Sequence, residues 1–163
     1  MTIEEGFSDR TVSLIGEESF RRLRDSRVLV VGLGGVGGYA VEMLARTGVG
    51  HLTLMDADSV APSNLNRQII ATRSTLGESK AELFRQRISD IDPEIETEAI
   101  AEYLTPDGVA PLLDQGFDFV IDAIDTVAPK VALISECLRR RLKFISSMGA
   151  GGRRNPAAVE ITD

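Results

Sequence analysis

A glycine-dense turn between a strand-like run and a helix-like run constrains the fold of this chain more than any other stretch. Residues 28–38 read Val-Leu-Val-Val-Gly-Leu-Gly-Gly-Val-Gly-Gly, and residues 39–46 favour a helix. Gly32, Gly34 and Gly37 occupy the glycine positions of the pattern G-x-G-x-x-G. One such glycine permits a tight turn, one lets the backbone approach a phosphate, and one lets the helix pack close to the strand. The stretch therefore predicts a nucleotide site, although a turn kept for packing alone is the other interpretation.

An acidic residue after the second predicted strand supports the nucleotide interpretation. Asp56 follows a strand over residues 51–55 and lies 24 positions after Gly32 (56 − 32 = 24). An acid at about this distance can accept hydrogen bonds from ribose hydroxyls, whereas its alternative role is to cap a helix or turn. The helix expected from Gly37 would add free N–H groups and the positive end of its dipole, which attract an anion.

The composition fits one domain and excludes several other classes of protein. The chain has 163 residues, 43% of them apolar, which is enough for a sizeable core. Its formal charge of −7 opposes a nonspecific electrostatic hold on nucleic acid. The one cysteine, Cys137, excludes an intrachain disulfide framework, and we interpret it as a structural thiol. The acidic N-terminus and the lack of an apolar run of about 18 residues predict a cytoplasmic protein without a membrane span.

Strand-like and helix-like segments alternate along the whole chain. This alternation predicts an α/β fold, namely a Rossmann-like open, mostly parallel sheet with helices on both faces. Strands are expected over residues 27–31, 51–55, 95–100, 117–121, 144–147 and 158–162. Helices are expected in an N-terminal arm over 7–26 and over 37–47, 79–91, 105–116 and 127–141. Ser79 and Glu82 would form a capping box at the start of the helix over 79–91.

Ligands of a doubly wound sheet bind beyond the carboxyl ends of its strands. The residues predicted at that edge are mostly glycines and acids: Gly32, Gly34, Gly35, Gly37, Asp56, Asp58, Asp122, Asp125, Met148 and Gly149. A carboxylate such as Asp125 that faces phosphates needs a divalent cation between the two anions. Mg²⁺, which binds a few carboxylates together with phosphate oxygens, meets that need. Asp125 could also cap the helix that begins at residue 127.

Two cationic residues after the second predicted strand favour a triphosphate site over a dinucleotide site. Arg67 lies in a polar loop with Asn64, Asn66 and Gln68. Lys80 stands at the start of the next predicted helix. The backbone amides of a glycine turn satisfy a pyrophosphate, whereas the cleavage of a triphosphate builds up charge that Arg and Lys neutralise. Judged by composition alone, both cations could be surface residues.

Five motifs occur in a fixed order and spacing along the chain. They cover residues 30–37, 54–58, 64–68, 77–80 and 122–125. In this order they resemble the ubiquitin-activating-enzyme-like adenylyltransferase family, which includes the ThiF, MoeB and HesA proteins. The resemblance extends from about residue 7 to residue 163. It implies a single ATP-binding adenylyltransferase domain over 1–163, with a helical arm over about 1–26 and with the C-terminal part of the family domain missing.

The resemblance also implies an activity and the roles of individual residues. Members bind ATP and Mg²⁺ and adenylate a carboxylate, and pyrophosphate leaves. By position, the nucleotide would be held by Gly32, Gly34, Gly35, Gly37, Asp56 at the ribose, Asp58, Asn64, Arg67, Gln68, Lys80, Asp125 and Thr126. The catalytic group would comprise Arg67, Lys80, Asp125 as the Mg²⁺ ligand, and Arg10, which would reach into the partner's site of a homodimer.

A narrower resemblance points to one branch of this family. Residues 122–127, 129–130, 146–152 and 155–156 are similar to the TcdA (CsdL) branch. That branch comprises tRNA threonylcarbamoyladenosine dehydratases, which use ATP to activate the threonyl carboxylate of a modified adenosine before it cyclises. The alternatives are adenylation of a small ubiquitin-fold sulfur carrier protein that ends in Gly-Gly, a nucleotide-binding or dimerisation module without turnover, and an NAD-dependent dehydrogenase. In an NAD-dependent dehydrogenase, Arg67 and Lys80 would have no role in the site.

Overall fold

The computed structural model describes residues 6–149, 152 and 154–162, and these residues form one open parallel sheet with helices around it. The strands lie in the order β3-β2-β1-β4-β5. They are β1 Arg27–Val31, β2 His51–Met55, β3 Glu96–Ile100, β4 Phe119–Asp122 and β5 Lys143–Ser146. The helices are α1 Asp9–Ile15, α2 Glu17–Arg24, α3 Gly37–Thr47, α4 Lys80–Ile91, α5 Val109–Leu113 and α6 Val127–Arg140. The predicted Rossmann-like α/β fold is confirmed.

Successive side chains of each strand point to opposite faces of the sheet, and helices pack on both faces. In β1, Val28 and Val30 belong to a core that includes Phe84 of α4. Leu29 belongs to a second core, which includes Leu133 of α6. A central parallel strand that is apolar on both sides is typical of a doubly wound sheet. The strand order then reverses direction between β1 and β4, and this is the point where such sheets bind ligands.

The predicted strand over residues 158–162 and the predicted capping box at Ser79 are wrong, and the helix predicted over 105–116 is a 3₁₀ helix over Pro106–Gly108 followed by α5. Residues 158–162 form no strand, because the chain makes a 3₁₀ helix over Pro156–Ala158 and continues without pairing. Val159 and Ile161 are exposed there, and a strand without a neighbour gains neither ladder bonds nor cross-strand contacts. Ser79 precedes α4 but makes no capping hydrogen bond. Its backbone instead pairs with Ser59 in an isolated antiparallel bridge, and its buried hydroxyl finds no partner in the described part of the chain.

The N-terminal arm packs at the end of the sheet where the strands begin. Phe20 of α2 is buried and would collide with any side chain at position 48. Arg24 ends α2 and forms a buried ion pair of 2.6 Å with Asp92, which follows α4. Phe7 lines a small cavity beside the same residues. The arm therefore lies at the amino end of the strands, opposite the carboxyl edge of the sheet. None of the described helices is both long and apolar enough to cross a membrane.

Candidate functional site

The glycine turn after β1 contains two glycines that the fold itself requires. Gly32 has a φ of +88°, and a Cβ atom there would lie 2.6 Å from the carbonyl oxygen of Ala123. A Cβ atom on Gly37 would lie 1.8 Å from the carbonyl oxygen of Gly32. No side chain fits such distances, so the turn and α3 can pack only with glycine at both positions. For these two residues, the packing interpretation is sufficient.

The two glycines between them are not explained by packing. A Cβ atom on Gly34 would come no closer than 3.7 Å to Gln68 Nε2, and one on Gly35 no closer than 3.5 Å to Arg67 Cγ. These are ordinary contact distances, and neither residue has a positive φ. In the described chain, the backbone N–H groups of Gly34, Gly35, Val36 and Gly37 donate no hydrogen bond. The turn thus presents bare, unpaired donors at the start of a helix, which is the arrangement that binds phosphate.

Asp56 ties the glycine turn to the end of β2. Its Oδ2 accepts a hydrogen bond of 2.7 Å from the backbone N–H of Leu33, and its Oδ1 accepts one of 2.8 Å from the backbone N–H of Asp58. The turn-capping role considered above is therefore present. Each carboxylate oxygen has a second lone pair, so the same group can still accept a hydroxyl. Contact between Asp56 and a ribose stays a prediction.

Lys80 is not a surface residue. Its side chain is 4% exposed, and its Nζ donates to Asp58 Oδ2 at 2.9 Å. Asp58 remains 54% exposed, and Tyr103 donates a longer hydrogen bond of 3.4 Å to its other oxygen. The backbone bridge between Ser59 and Ser79 brings the two partners together. A buried ammonium with one carboxylate partner thus lies beside the carboxyl end of β2.

The polar loop after β2 lies directly against the glycine turn. It begins with a 3₁₀ helix over Pro62–Asn64, which is stabilised because Asn64 Oδ1 accepts a hydrogen bond of 2.9 Å from the N–H of Ala61. The aliphatic stem of Arg67 then packs on Gly35, and its guanidinium is exposed. Gln68 is 7% exposed, and its Oε1 has no hydrogen-bond partner in the described residues. An unsatisfied buried oxygen beside a glycine turn marks a position that a ligand or a water can complete.

Asp125 and Thr126 lie on the loop after β4, which also contacts the glycine turn. Both side chains are exposed, and the Thr126 hydroxyl donates a long hydrogen bond of 3.4 Å to Asp125 Oδ1. Thr126, and not Asp125, occupies the N-cap position of α6, and it makes no capping hydrogen bond. The N–H of Ala123 bonds to the carbonyl oxygen of Val31 at 2.8 Å, which holds this loop beside the turn. The capping alternative for Asp125 is therefore wrong.

Arg10 is the one predicted site residue that the fold does not bring to this edge. It is exposed on α1, next to the segment that packs at the amino end of the strands. In the same chain it therefore lies apart from the glycine turn. The motif over 146–152 can be followed only to Gly149, since residues 150 and 151 lie outside the described part of the chain.

A buried polar network beside the site was not found from the sequence. Asp122, the last residue of β4, is 1% exposed, and its Oδ2 accepts hydrogen bonds from Lys130 Nζ at 2.7 Å and from Ser146 Oγ at 2.6 Å. One feature of the sequence could have indicated this network. Asp122 is an acid at the end of a strand that is apolar enough to be buried on both faces, and a buried charge needs a partner.

Comparison with known proteins agrees with this geometry. The ThiF family model matches residues 8–160. The tRNA threonylcarbamoyladenosine dehydratase of Escherichia coli K12 is 44% identical over 153 residues, which cover 94% of this chain and 57% of that protein. The protein of the same name from Bacillus subtilis 168 is 45% identical over 91% of this chain and 59% of its own length. This chain thus spans less than two thirds of the length of both relatives.

A solved structure matches over the whole chain. The crystal structure of the E. coli dehydratase TcdA in complex with ATP aligns with a TM-score of 0.95 at 42% identity, and the match covers 100% of this chain and 68% of that one. The motif order, the strand order and these matches lead to one conclusion. This chain belongs to the ThiF family.

Proposed function

We propose that this chain binds ATP at the carboxyl edge of its sheet and adenylates a carboxylate, as the nucleotide-binding part of a tRNA threonylcarbamoyladenosine dehydratase. The observation that carries this proposal is the bare backbone of Gly34 and Gly35 beside Arg67. Neither conformation nor packing requires these two glycines, whereas a phosphate needs the absence of side chains to reach the N–H groups. The names of the two relatives and the ATP bound to the E. coli enzyme support the same assignment.

The proposed reaction calls for positive charge at the phosphates. An oxygen of the substrate carboxylate forms a bond to the α-phosphorus, the bond from that phosphorus to the bridging oxygen breaks, and pyrophosphate leaves with the electron pair. Arg67 would stabilise this charge through the N–H groups of Nε and Nη2, which bond to no described residue. Lys80 would act from a fixed position, since Asp58 engages one of the three donors of its ammonium and leaves two for phosphate oxygens.

The remaining residues would orient the nucleotide. Asp56, with Asp58 beside it, would accept hydrogen bonds from the ribose hydroxyls, and Asn64 and Gln68 would contribute amide groups from the polar loop. Thr126 would stand beside the nucleotide on the loop after β4. Holding the reactants in line at fixed distances supplies a large part of the rate in reactions of this kind.

Magnesium fits this site as a companion of the nucleotide. No group of three or more His, Cys, Asp or Glu side chains converges within the described ranges. Mg²⁺ is often bound by one or two carboxylates together with substrate phosphates and water, and does not require a protein cage. Asp125, exposed on its loop, is the residue that would hold it, and the ion would neutralise charge on the phosphate chain.

We also propose that the chain works as a homodimer in which Arg10 serves the partner's site. Arg10 is exposed on α1, which packs on α2, and α2 lies at the amino end of the strands, so we expect Arg10 to contribute to catalysis through a second copy. Val36, at the N-cap of α3, and Tyr39 and Met43 within it are each about half exposed and follow the spacing of one helix face. Such an apolar stripe next to the glycine turn is suited to contact with another subunit.

The test is ATP consumption by this chain with defined substrates. We expect calorimetry to detect ATP binding in the presence of Mg²⁺, and we expect AMP release only when tRNA that carries threonylcarbamoyladenosine is added. A tRNA substrate also implies a cytoplasmic location. AMP release with a sulfur carrier ending in Gly-Gly, and not with this tRNA, would replace the proposed substrate. ATP binding without turnover would reduce the proposal to a binding module, and tighter binding of NAD than of ATP would contradict it.

A further inference from the structure

A buried ion pair at the switch point of the sheet lies directly behind the loop that carries Asp125. Lys130 is 8% exposed, and its ammonium donates to Asp122 Oδ2 at 2.7 Å, Ser146 Oγ at 3.2 Å and the carbonyl oxygen of Ser147 at 3.0 Å. These three acceptors use all three donors of the ammonium. The group is therefore fully satisfied inside the protein and has one defined position.

This network joins the ends of two neighbouring strands to the helix between them. Asp122 and Ser146 are paired in register as the last residues of β4 and β5. The backbone N–H of Ser147 donates to the carbonyl oxygen of Asp122 at 2.8 Å. Lys130 reaches both strand ends from the first turns of α6. The loop over 123–126 leaves one of these elements and enters another, so its two ends are fixed relative to each other.

The network also shapes the inside of that loop. The other carboxylate oxygen of Asp122, Oδ1, accepts a hydrogen bond of 3.0 Å from the backbone N–H of Ile124. The side chain of Asp125 itself has only the long contact of 3.4 Å with Thr126 among the described residues. Where the Asp125 carboxylate points is therefore decided by the backbone around it, and that backbone bonds to Asp122.

Stability alone is a poor reason for a buried ion pair. Replacing such a pair with apolar residues of similar size is often neutral or stabilising, because the loss of hydration offsets the attraction. The network gives the loop after β4 a specific geometry that an apolar cluster would not impose.

We propose that Lys130 is a positioning residue for Asp125: through Asp122, it fixes the loop after β4 so that the Asp125 carboxylate meets a nucleotide-bound divalent cation. This inference rests on the proposed function, since it concerns the same ATP site. Lys130 itself does not touch the nucleotide.

The first measurement needs no nucleotide. In the variant Lys130→Met, the amide protons of Ile124 and Ser147 should exchange with solvent about tenfold faster or more, while those of the central strand β1 keep their protection. The variant Arg24→Met is the matched control, because it breaks another buried ion pair, at 2.6 Å to Asp92, at the opposite end of the sheet. It should leave exchange at the loop unchanged.

The second measurement is the effect of Mg²⁺ on ATP affinity, obtained by calorimetry with Mg²⁺ and with EDTA. Loss of groups that orient a metal ligand typically weakens metal binding about 10- to 100-fold. Lys130→Met should therefore lose about tenfold or more of the Mg²⁺ effect, and the affinity in EDTA should change much less. Adding Asp125→Asn to Lys130→Met should cause little further loss, and Lys130→Arg should restore part of it.

The outcomes separate the possible failures. If Lys130→Met does not fold, the double variant Asp122→Asn/Lys130→Met, which leaves no unpaired buried charge, should give the same two results. Unchanged exchange at Ile124 and Ser147, or faster exchange that is equal throughout the sheet, overturns the positioning role. A wild-type Mg²⁺ effect in the folded variant overturns it as well. If the unmodified chain binds no ATP, the proposed function fails, and the exchange measurement still decides whether Lys130 orders the loop.

Discussion

The substitution Arg67→Ala tests the proposed phosphate contact and should leave the stability of the fold nearly unchanged. The exposed guanidinium makes its described hydrogen bonds from Nη1, to the carbonyl oxygen of Ser63 at 2.9 Å and to Asn66 Oδ1 at 3.0 Å. Both partners belong to the same short loop, so removing these bonds leaves the core intact. A substitution at such an exposed position changes the free energy of unfolding by about 0.5 kcal/mol or less.

The effect on ATP binding should be much larger. A hydrogen bond that involves a charged group contributes about 1.5–3 kcal/mol, and each 1.4 kcal/mol changes a dissociation constant about tenfold. Arg67→Ala should therefore raise the Kd for ATP with Mg²⁺ roughly 10- to 150-fold in calorimetry. Arg67→Lys should recover only part of this loss, because an ammonium keeps the charge but not the planar fork of donors.

The matched control is an arginine on the N-terminal arm. Arg21 is 71% exposed and pairs with Glu17 on the same helix, at the other end of the sheet. Arg21→Ala should change neither the Kd nor the unfolding free energy. ATP binding by Arg67→Ala within about twofold of the unmodified chain, or weaker binding together with a large loss of stability, would refute the phosphate contact of Arg67.

Other expectations follow from the glycine turn, from one buried acid and from the cysteine. Gly35→Ala should keep the melting temperature but weaken ATP binding, whereas Gly37→Ala should lower the melting temperature, because its Cβ atom would lie 1.8 Å from a carbonyl oxygen of the turn. In Glu42, the hydrogen bond from Arg87 lowers the pKa of the carboxyl below its usual 4.5. Its contribution to stability is thus present above pH 4.5 and is lost as the pH falls through the lowered pKa. In denaturant unfolding, Glu42→Gln should therefore lose less unfolding free energy on acidification than the unmodified chain does. Burial raises the pKa of the Cys137 thiol to about 11, and iodoacetamide at pH 8 should label it only after unfolding.

Sequence reasoning worked where a residue's role depends on its neighbours along the chain. The alternation of strand-like and helix-like segments predicted the parallel sheet, and β1 and β2 have the predicted bounds. Thr105 accepts a hydrogen bond of 3.1 Å from the N–H of Gly108, as its position before a proline indicates. Such features are decided by backbone geometry over a few residues, which a sequence displays directly.

The failures concern residues whose role depends on distant parts of the chain. Ser79 matches a capping box, but its backbone pairs with Ser59, twenty positions earlier (79 − 59 = 20), and its hydroxyl is left buried without a described partner. Asp122 was predicted at the carboxyl edge of the sheet, but nothing in the sequence indicated that Lys130 and Ser146 would bond to its side chain. A strand was also predicted over residues 158–162, but within the described part of the chain no strand pairs with it.

The burial of Lys80 and the position of Arg10 were likewise beyond the sequence. Both residues carry the same charge, and composition treats both as surface residues. The fold buries Lys80 against Asp58 at the carboxyl edge and leaves Arg10 exposed at the amino end. The difference in burial between these two cations therefore follows from the three-dimensional arrangement and not from the sequence.

The most direct test of this account is a crystal structure of the chain with Mg²⁺ and a non-hydrolysable ATP analogue. We expect phosphate oxygens within hydrogen-bonding distance of the N–H groups of Gly34 and Gly35, of the Arg67 guanidinium and of the Lys80 ammonium, with the metal ion at Asp125. A nucleotide bound elsewhere, or one bound at this edge with Arg67 and Lys80 both turned away from its phosphates, would contradict it.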